Sequence, residues 1–462
     1  MPIRTVTSPA APSASPSLLP SLRLSLSLLT VSLCTFAALC VLLHAPMADL
    51  LVYRAEGEAV VHGGDLYGFT VTEWRLPATY PPFAAVLFVP TTWIPVPALK
   101  AAFLAGNALL LAWLVALSAR LAGRPAPLPL LGAATGLALW LEPVFQTLLF
   151  GQVNLAIACL VLWDLTRPPG ARAKGLALGI AAGVKLTPAV FIAYLLLTAR
   201  RKEAATATAS FAGTALLGAL LLPSAAVDFW TRRLFETGRV GKAWIIDNQS
   251  LQGLIARATG TAAPGPAWTL PAAAVAVTGL WLATRARAAS GDAPAASGDA
   301  PAAPGDAPAA SGDGDAPADR APHRARASHR DRAPHRDRWG ILLTAFTALL
   351  VCPISWSHHW VWCVPLLVVL LAEGRTFLAA TAALVFTART MWLLPHEGDR
   401  DLHLPWWQQP LAAPYPLLGL ALLAGAAIAV RRRGAAPPDG TGAALPDGPQ
   451  LSARSSSASM IR

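Results

Sequence analysis

Stretches of about 20 mostly apolar residues recur from Leu24 almost to the C-terminus, and this recurrence limits the chain more than any motif does. A helix of that length matches the hydrocarbon core of a bilayer, where backbone polar groups must bond within their own segment. Only 13% of residues are charged, against about 25% in soluble domains. With a mean hydropathy of +0.50, a water-soluble fold would lack the polar surface to cover itself. The chain therefore reads as an all-α polytopic membrane protein.

The first span runs from Leu24 to Ala45, too long for the roughly 7–15-residue apolar core of a cleaved signal peptide. Further apolar segments lie at about 80–97, 98–119, 126–149, 151–166, 172–199, 206–226, 265–284, 339–356, 359–373, 376–395 and 410–430. Two polar loops, about 46–79 and 227–264, interrupt the first part of the membrane domain, 22–287. Its second part covers 339–431. Flanking these are a polar lead at 1–21, a low-complexity insert at 288–338 and a tail at 432–462, all expected to be disordered. In the insert, Ser290–Ala296 repeats as Ser297–Ala303, each unit carrying Pro, Gly and Asp and no large apolar residue. That composition cannot form a core, and the insert reads as a solvated cytoplasmic linker.

The formal net charge of +11 sits in short clusters between apolar segments, such as Arg200–Lys202 and Arg431–Arg433. This is the positive-inside pattern of a membrane protein, not a basic stripe for nucleic acid. Placing the arginines at 120, 124, 167, 172, 200, 201, 285, 287, 375 and 431–433 in the cytoplasm puts both polar loops outside, with Gln152 and His358. Segments 80–97 and 172–199 must then begin and end on one side, and each holds a breaker: Pro90 and Pro95, or Pro188 beside Lys185. The alternative lets both cross simply and leaves Arg167, Arg172 and Lys174 outside. The five cysteines lie in apolar segments without a CxxC pair, so neither a disulfide nor a metal framework is indicated, and no cofactor is expected.

Chemistry-bearing residues concentrate at a few points. Asp49 follows the first span at the membrane–water interface and suits a base that accepts a hydroxyl proton, with Glu56, Glu58 and Asp65 as competitors. Lys185 stands near the middle of a mostly uncharged segment, at a cost of about 2.5–3.5 kcal/mol unless it faces a cavity or an anion. Gln152 and Asn154 either glue helices or line a polar cavity, and Tyr80-Pro81-Pro82-Phe83 reads as a structural corner. Asn248 and Gln249 allow substrate hydrogen bonding or simple loop structure; a glycosylation sequon there is a weak reading. His358 and His359 are adjacent, a poor bidentate metal spacing, but either can hold a phosphate or orient a base.

Seven pieces in order carry a resemblance: Asp49–Gly57, Gly64–Tyr67, Tyr80–Phe83, Gly151–Asn154, Lys185–Pro188, Asn248–Gly253 and Pro353–Trp360. Together they resemble the bacterial polyprenyl-phosphate-mannose-dependent mannosyltransferases, glycosyltransferase family 87, from about residue 24 to 430 outside the insert. The resemblance implies a GT-C bundle of about 10–13 transmembrane or re-entrant helices with short extracytoplasmic loop helices. It implies inverting transfer of a sugar, usually mannose, from a polyprenyl phosphosugar donor to a hydroxyl of a lipid-linked envelope glycan. The active site would face the outside of the cell membrane. Asp49 inherits the role of base, while Lys185, His358 and His359 would line the phosphosugar cavity. The expected substrate contacts are Tyr53, Arg54, Tyr80, Gln152, Asn154, Lys185, Asn248, Gln249, His358 and His359. Ser357 departs from the pattern, standing where an acid is expected. The main rival reading is a transporter or flippase of a lipid-linked sugar, though no internal repeat supports it. High Ala, Arg and Pro with few Lys suit a high-GC actinobacterium.

Overall fold

The computed structural model describes residues 18–291 and 337–434. Most of the expected lead, insert and tail (1–17, 292–336 and 435–462) lies outside the described residues. The described chain is an all-α polytopic membrane protein whose only sheet, among those residues, is a two-stranded ribbon pairing Thr70–Val71 with Leu76–Pro77.

Among the described residues, five helices are long and apolar enough to cross a bilayer: Ser21–Leu42, Val96–Leu121, Arg201–Leu221, Pro266–Ala288 and Pro414–Arg433. Their outward faces show large apolar side chains, among them Val31, Leu109, Leu220 and Val277, as lipid contact requires. The remaining apolar segments are shorter or broken, so the expected dozen helices resolve into fewer full spans plus several half-length ones. The run at 126–149, read from the sequence as one span, is bent by 76° between Leu128–Ala138 and Glu142–Phe150. Pro143 explains the break: it cannot donate to a preceding turn, so it opens a new helix instead of continuing the old one.

The segment at 172–199 folds as a hairpin. Leu176–Val184 ends at Lys185, whose backbone is extended (φ −144°, ψ 126°), and the chain returns through Thr187–Ala189 and Val190–Leu197. Both ends of the hairpin meet again, because Lys174 pairs with Glu203 at 3.7 Å. Gly175, Gly179 and Gly183, spaced four apart, form one face of the rising arm. A Cβ at these positions would collide with Glu203, Ala207 and Thr214 of the Arg201–Leu221 helix. The arm therefore lies against that helix backbone to backbone, the close approach that small residues allow in lipid. This contact carries Lys185 to the hairpin tip.

The hairpin base holds an ion network. Asp164 accepts the backbone N–H groups of Gly175 and Leu178 (2.9–3.0 Å) and pairs with Arg167 at 3.5 Å. Arg200 bonds Glu203 and, at 2.6 Å, Asp337, which also takes a hydrogen bond from Tyr194. Nearby, Arg338 and Arg375 share Glu373 at 2.7 and 2.9 Å.

Candidate active site

At the hairpin tip the helices diverge around a cavity of about 770 Å³. Asp49, Tyr53, Tyr80, Gln152, Lys185, His358 and His359 all line it, although more than 300 residues of chain separate the first from the last.

Asp49 stands in the first turn of the Ala48–His62 helix, where the helix dipole favours a carboxylate. Tyr53, one turn on, donates to Gln152 Oε1 at 2.9 Å, and Tyr80 reaches the same oxygen at 3.3 Å. With its oxygen so occupied, the Gln152 amide presents its N–H₂ to Asp49. Burial pushes the Asp49 carboxyl up from its usual range to about 6, against the opposing pull of Gln152 and the Lys185 charge. The group is thus a stronger base than a solvated aspartate and still largely ionised near neutrality.

Lys185 Nζ donates to Asn154 Oδ1 at 2.8 Å and lies 3.1 Å from His359 Nε2. An ammonium only donates, so His359 Nε2 accepts there and its proton sits on the other ring nitrogen. Lys185 also lies 5.5 Å from the centre of the Tyr80 ring. No carboxylate pairs with it in a salt bridge among the described residues. The His358 backbone is pinned: its carbonyl accepts from Thr147 Oγ1 (3.0 Å) and Asn154 Nδ2 (2.9 Å). Both of its ring nitrogens are buried without a hydrogen-bond partner among the described residues. A cavity-lining imidazole in that state has bonding capacity to offer a ligand.

Three expected substrate contacts bond mainly to other parts of the chain. Arg54 does not line the cavity; its guanidinium ties down the carbonyls of Thr91, Ile94 and Thr92 and pairs with Glu58. Asn248 is fully buried and stitches two loops, giving Nδ2 to Ala243 and Pro353 and taking the N–H of Ser355 at 2.9 Å on Oδ1. Gln249 spends its amide on Ile246, Ala412 and Tyr415 backbone groups. These bonds position the loop that carries the histidines and leave little capacity for substrate. Asn154 lies one step back, holding Lys185 and His358 together.

Sequence reasoning passed over Asp247, which lines the cavity and accepts the Ser357 N–H at 3.0 Å. A carboxylate from another loop thereby stands beside the position where an acid was expected. Burial pushes its carboxyl upward too. Its place next to Asn248 was the available signal, but only the folded loop turns it inward. Arg233 and Arg239 are further lining residues that no sequence motif marked, and Trp356, inside the Pro353–Trp360 piece, lines the cavity as well. Among the described residues, no three His, Cys, Asp or Glu side chains converge as a metal site.

A polytopic bundle around a cavity walled by an acid, a buried amine and imidazoles is the build of a membrane enzyme. The chain belongs to glycosyltransferase family 87. The model of that family matches residues 78–300. The chain is 30% identical over 417 residues to the polyprenol-phosphate-mannose-dependent alpha-(1-2)-phosphatidylinositol mannoside mannosyltransferase of Mycobacterium tuberculosis, covering 84% of this chain and 87% of the relative. The protein of that name from Mycolicibacterium smegmatis is 31% identical, over 81% of this chain and 82% of its own length. A phosphatidylinositol pentamannoside mannosyltransferase of M. tuberculosis is 31% identical over 70% of this chain and 66% of the relative. No solved structure matches the chain significantly. The protein is an integral membrane glycosyltransferase.

Proposed function

We propose that this enzyme moves mannose from a polyprenyl-phosphate donor to a hydroxyl of a phosphatidylinositol mannoside, on the extracytoplasmic side of the cell membrane. The donor and acceptor follow the relatives' names. The observation that carries the reading is the convergence of Asp49 with Lys185 and His359 on one cavity. Asp49 takes the acceptor hydroxyl proton as the new oxygen–C1 bond forms. The bond from C1 to the phosphate oxygen breaks, and negative charge grows on the departing polyprenyl phosphate. Lys185, held by Asn154 and His359, faces that charge with a preset positive group, the arrangement that lowers a barrier without reorganisation. His358 supplies two further ring nitrogens to the same wall.

The orientation rests on charge. Arg167, Lys174, Arg200, Arg338 and Arg375 gather in the network at the hairpin base and none lines the cavity. By the positive-inside rule that end faces the cytoplasm and the cavity faces outward.

Purified protein in lipid nanodiscs, given radiolabelled polyprenyl-phosphate mannose and a phosphatidylinositol mannoside, should yield a product heavier by one hexose. Turnover with a different polyprenyl-phosphate sugar but none with mannose would overturn the donor assignment.

A further inference from the structure

The transfer reaction requires one anion site, for the donor phosphate, yet the cavity is walled by cations from two unrelated elements. Lys185 comes from the hairpin tip; Arg233 and Arg239 come from the outer loop that follows the Pro223–Asp228 helix. The two arginines are within electrostatic reach of one another, an arrangement that an anion between them relieves.

Their states differ. Arg233 is already balanced, with Nε on Asp228 at 2.8 Å and Nη1 on Glu236 at 3.1 Å. Arg239 forms no ion pair among the described residues. Its Nη1 donates to the Ala78 carbonyl at 2.6 Å and its guanidinium lies 5.6 Å from the Tyr67 ring centre, which fixes the plane of the fork. Nε is buried with no hydrogen-bond partner among the described residues. The nearby Glu56 does not neutralise it at pH 7, because burial pushes that carboxyl up to about 8. An oriented guanidinium with spare N–H groups on a cavity wall suits a phosphate oxygen pair.

The surrounding segment also exposes apolar side chains. Val227 is 65% exposed and Phe235 72% exposed, while Trp230 packs on Phe211 of the Arg201–Leu221 span. A lipid entering beside this loop would bring its headgroup phosphate to the arginines while its sugars extend into the cavity.

We propose that Arg239, supported by Arg233, holds the phosphodiester of the lipid acceptor, so that donor and acceptor phosphates sit on separate cationic walls. This rests on the transfer reaction proposed above. Acceptor choice then depends on an anionic headgroup as well as on the sugar.

The test compares two acceptors, a synthetic phosphatidylinositol mannoside and an alkyl mannoside without phosphate, at varied donor concentration. In wild type the phosphorylated acceptor should show the lower KM, and equal KM values would overturn the proposal without any variant. Arg239→Gln should raise the KM of the phosphorylated acceptor about 10–100-fold, as expected for loss of a charge-assisted bond, and at least about tenfold more than that of the alkyl mannoside. Arg239→Lys, which keeps charge and bulk but loses the fork, should fall between. Equal losses with both acceptors would mean a structural residue, and a raised donor KM would mean the donor's phosphate binds there; either result sinks the assignment. If wild type transfers mannose to neither acceptor, the reaction itself falls, and this site with it.

Discussion

Two ion-rich regions lie at opposite ends of the hairpin that carries Lys185, roughly 14 Å of helix apart, and they differ in how their charges are spent. At the base, Asp164, Arg200, Glu203 and Asp337 answer one another or backbone N–H groups. At the tip, among the described residues, Lys185 hydrogen-bonds to the neutral Asn154 and His359, both His358 ring nitrogens lack a partner, and Asp49 carries a burial penalty that Gln152 and the Lys185 charge only partly offset. A satisfied buried network fixes structure, whereas an unsatisfied one waits for a ligand to complete it. Charge alone does not mark a site; unspent bonding capacity beside a cavity does.

The contrast breaks most sharply at Asp49. Asp49→Asn keeps the shape and removes the basic oxygen, so kcat should fall about 10²–10⁴-fold in nanodisc assays while the protein stays folded. Retention of the wild-type rate would make Asp49 as structural as Asp164. Arg200→Gln should do the reverse. Losing one partner of Asp337 should cost about 3 kcal/mol of stability, seen as a lower thermal midpoint in detergent, with kcat/KM of the folded fraction unchanged. Should activity fall and stability hold, the base would be part of the catalytic machinery.

Proton occupancy sharpens the same comparison. Asp49 acts as a base only when ionised, and its pKa is raised to about 6, so ionisation is nearly complete at pH 7 and lost as pH falls through 6. The kcat/KM profile should therefore drop about tenfold per pH unit below 6. A profile flat to pH 5 would argue against this carboxyl as the base. The smallest effect belongs to Arg54, whose guanidinium binds carbonyls outside the cavity. Arg54→Gln should lower stability by about 1–2 kcal/mol and change either KM less than about threefold. A tenfold KM change would return Arg54 to the substrate.

Much of this architecture was legible in the residues. The breaker at Lys185–Pro188 announced the hairpin, because a lysine and a proline deep in an apolar run demand a cavity and a helix end. Asp49, at the foot of the first span, was marked by its interfacial position. The bend before Pro143 was missed because Leu139, Trp140 and Leu141 at the break, with Val144 and Phe145 after it, keep the hydropathy of 126–149 high. Asn248 and Gln249 stayed open between two readings for a different reason. An amide in a loop motif reads equally as a ligand contact or a stitch, and only the partners decide; here they are backbone groups of Pro353, Ser355 and Ala412.

What the chain's order of residues determined alone was its solvent, its helices, its breakers and the few polar groups too costly to leave in lipid. Each of these is local, set by hydropathy, by proline's missing N–H or by the penalty on an isolated charge. Tertiary structure decided which groups meet. Glycines 175, 179 and 183 let two helices touch, that contact lifts Lys185 to His359, and Asp247 and Arg239 turn inward from a loop with no local reason to do so. Such encounters join residues far apart in the chain, and their energy comes from packing that no single segment contains.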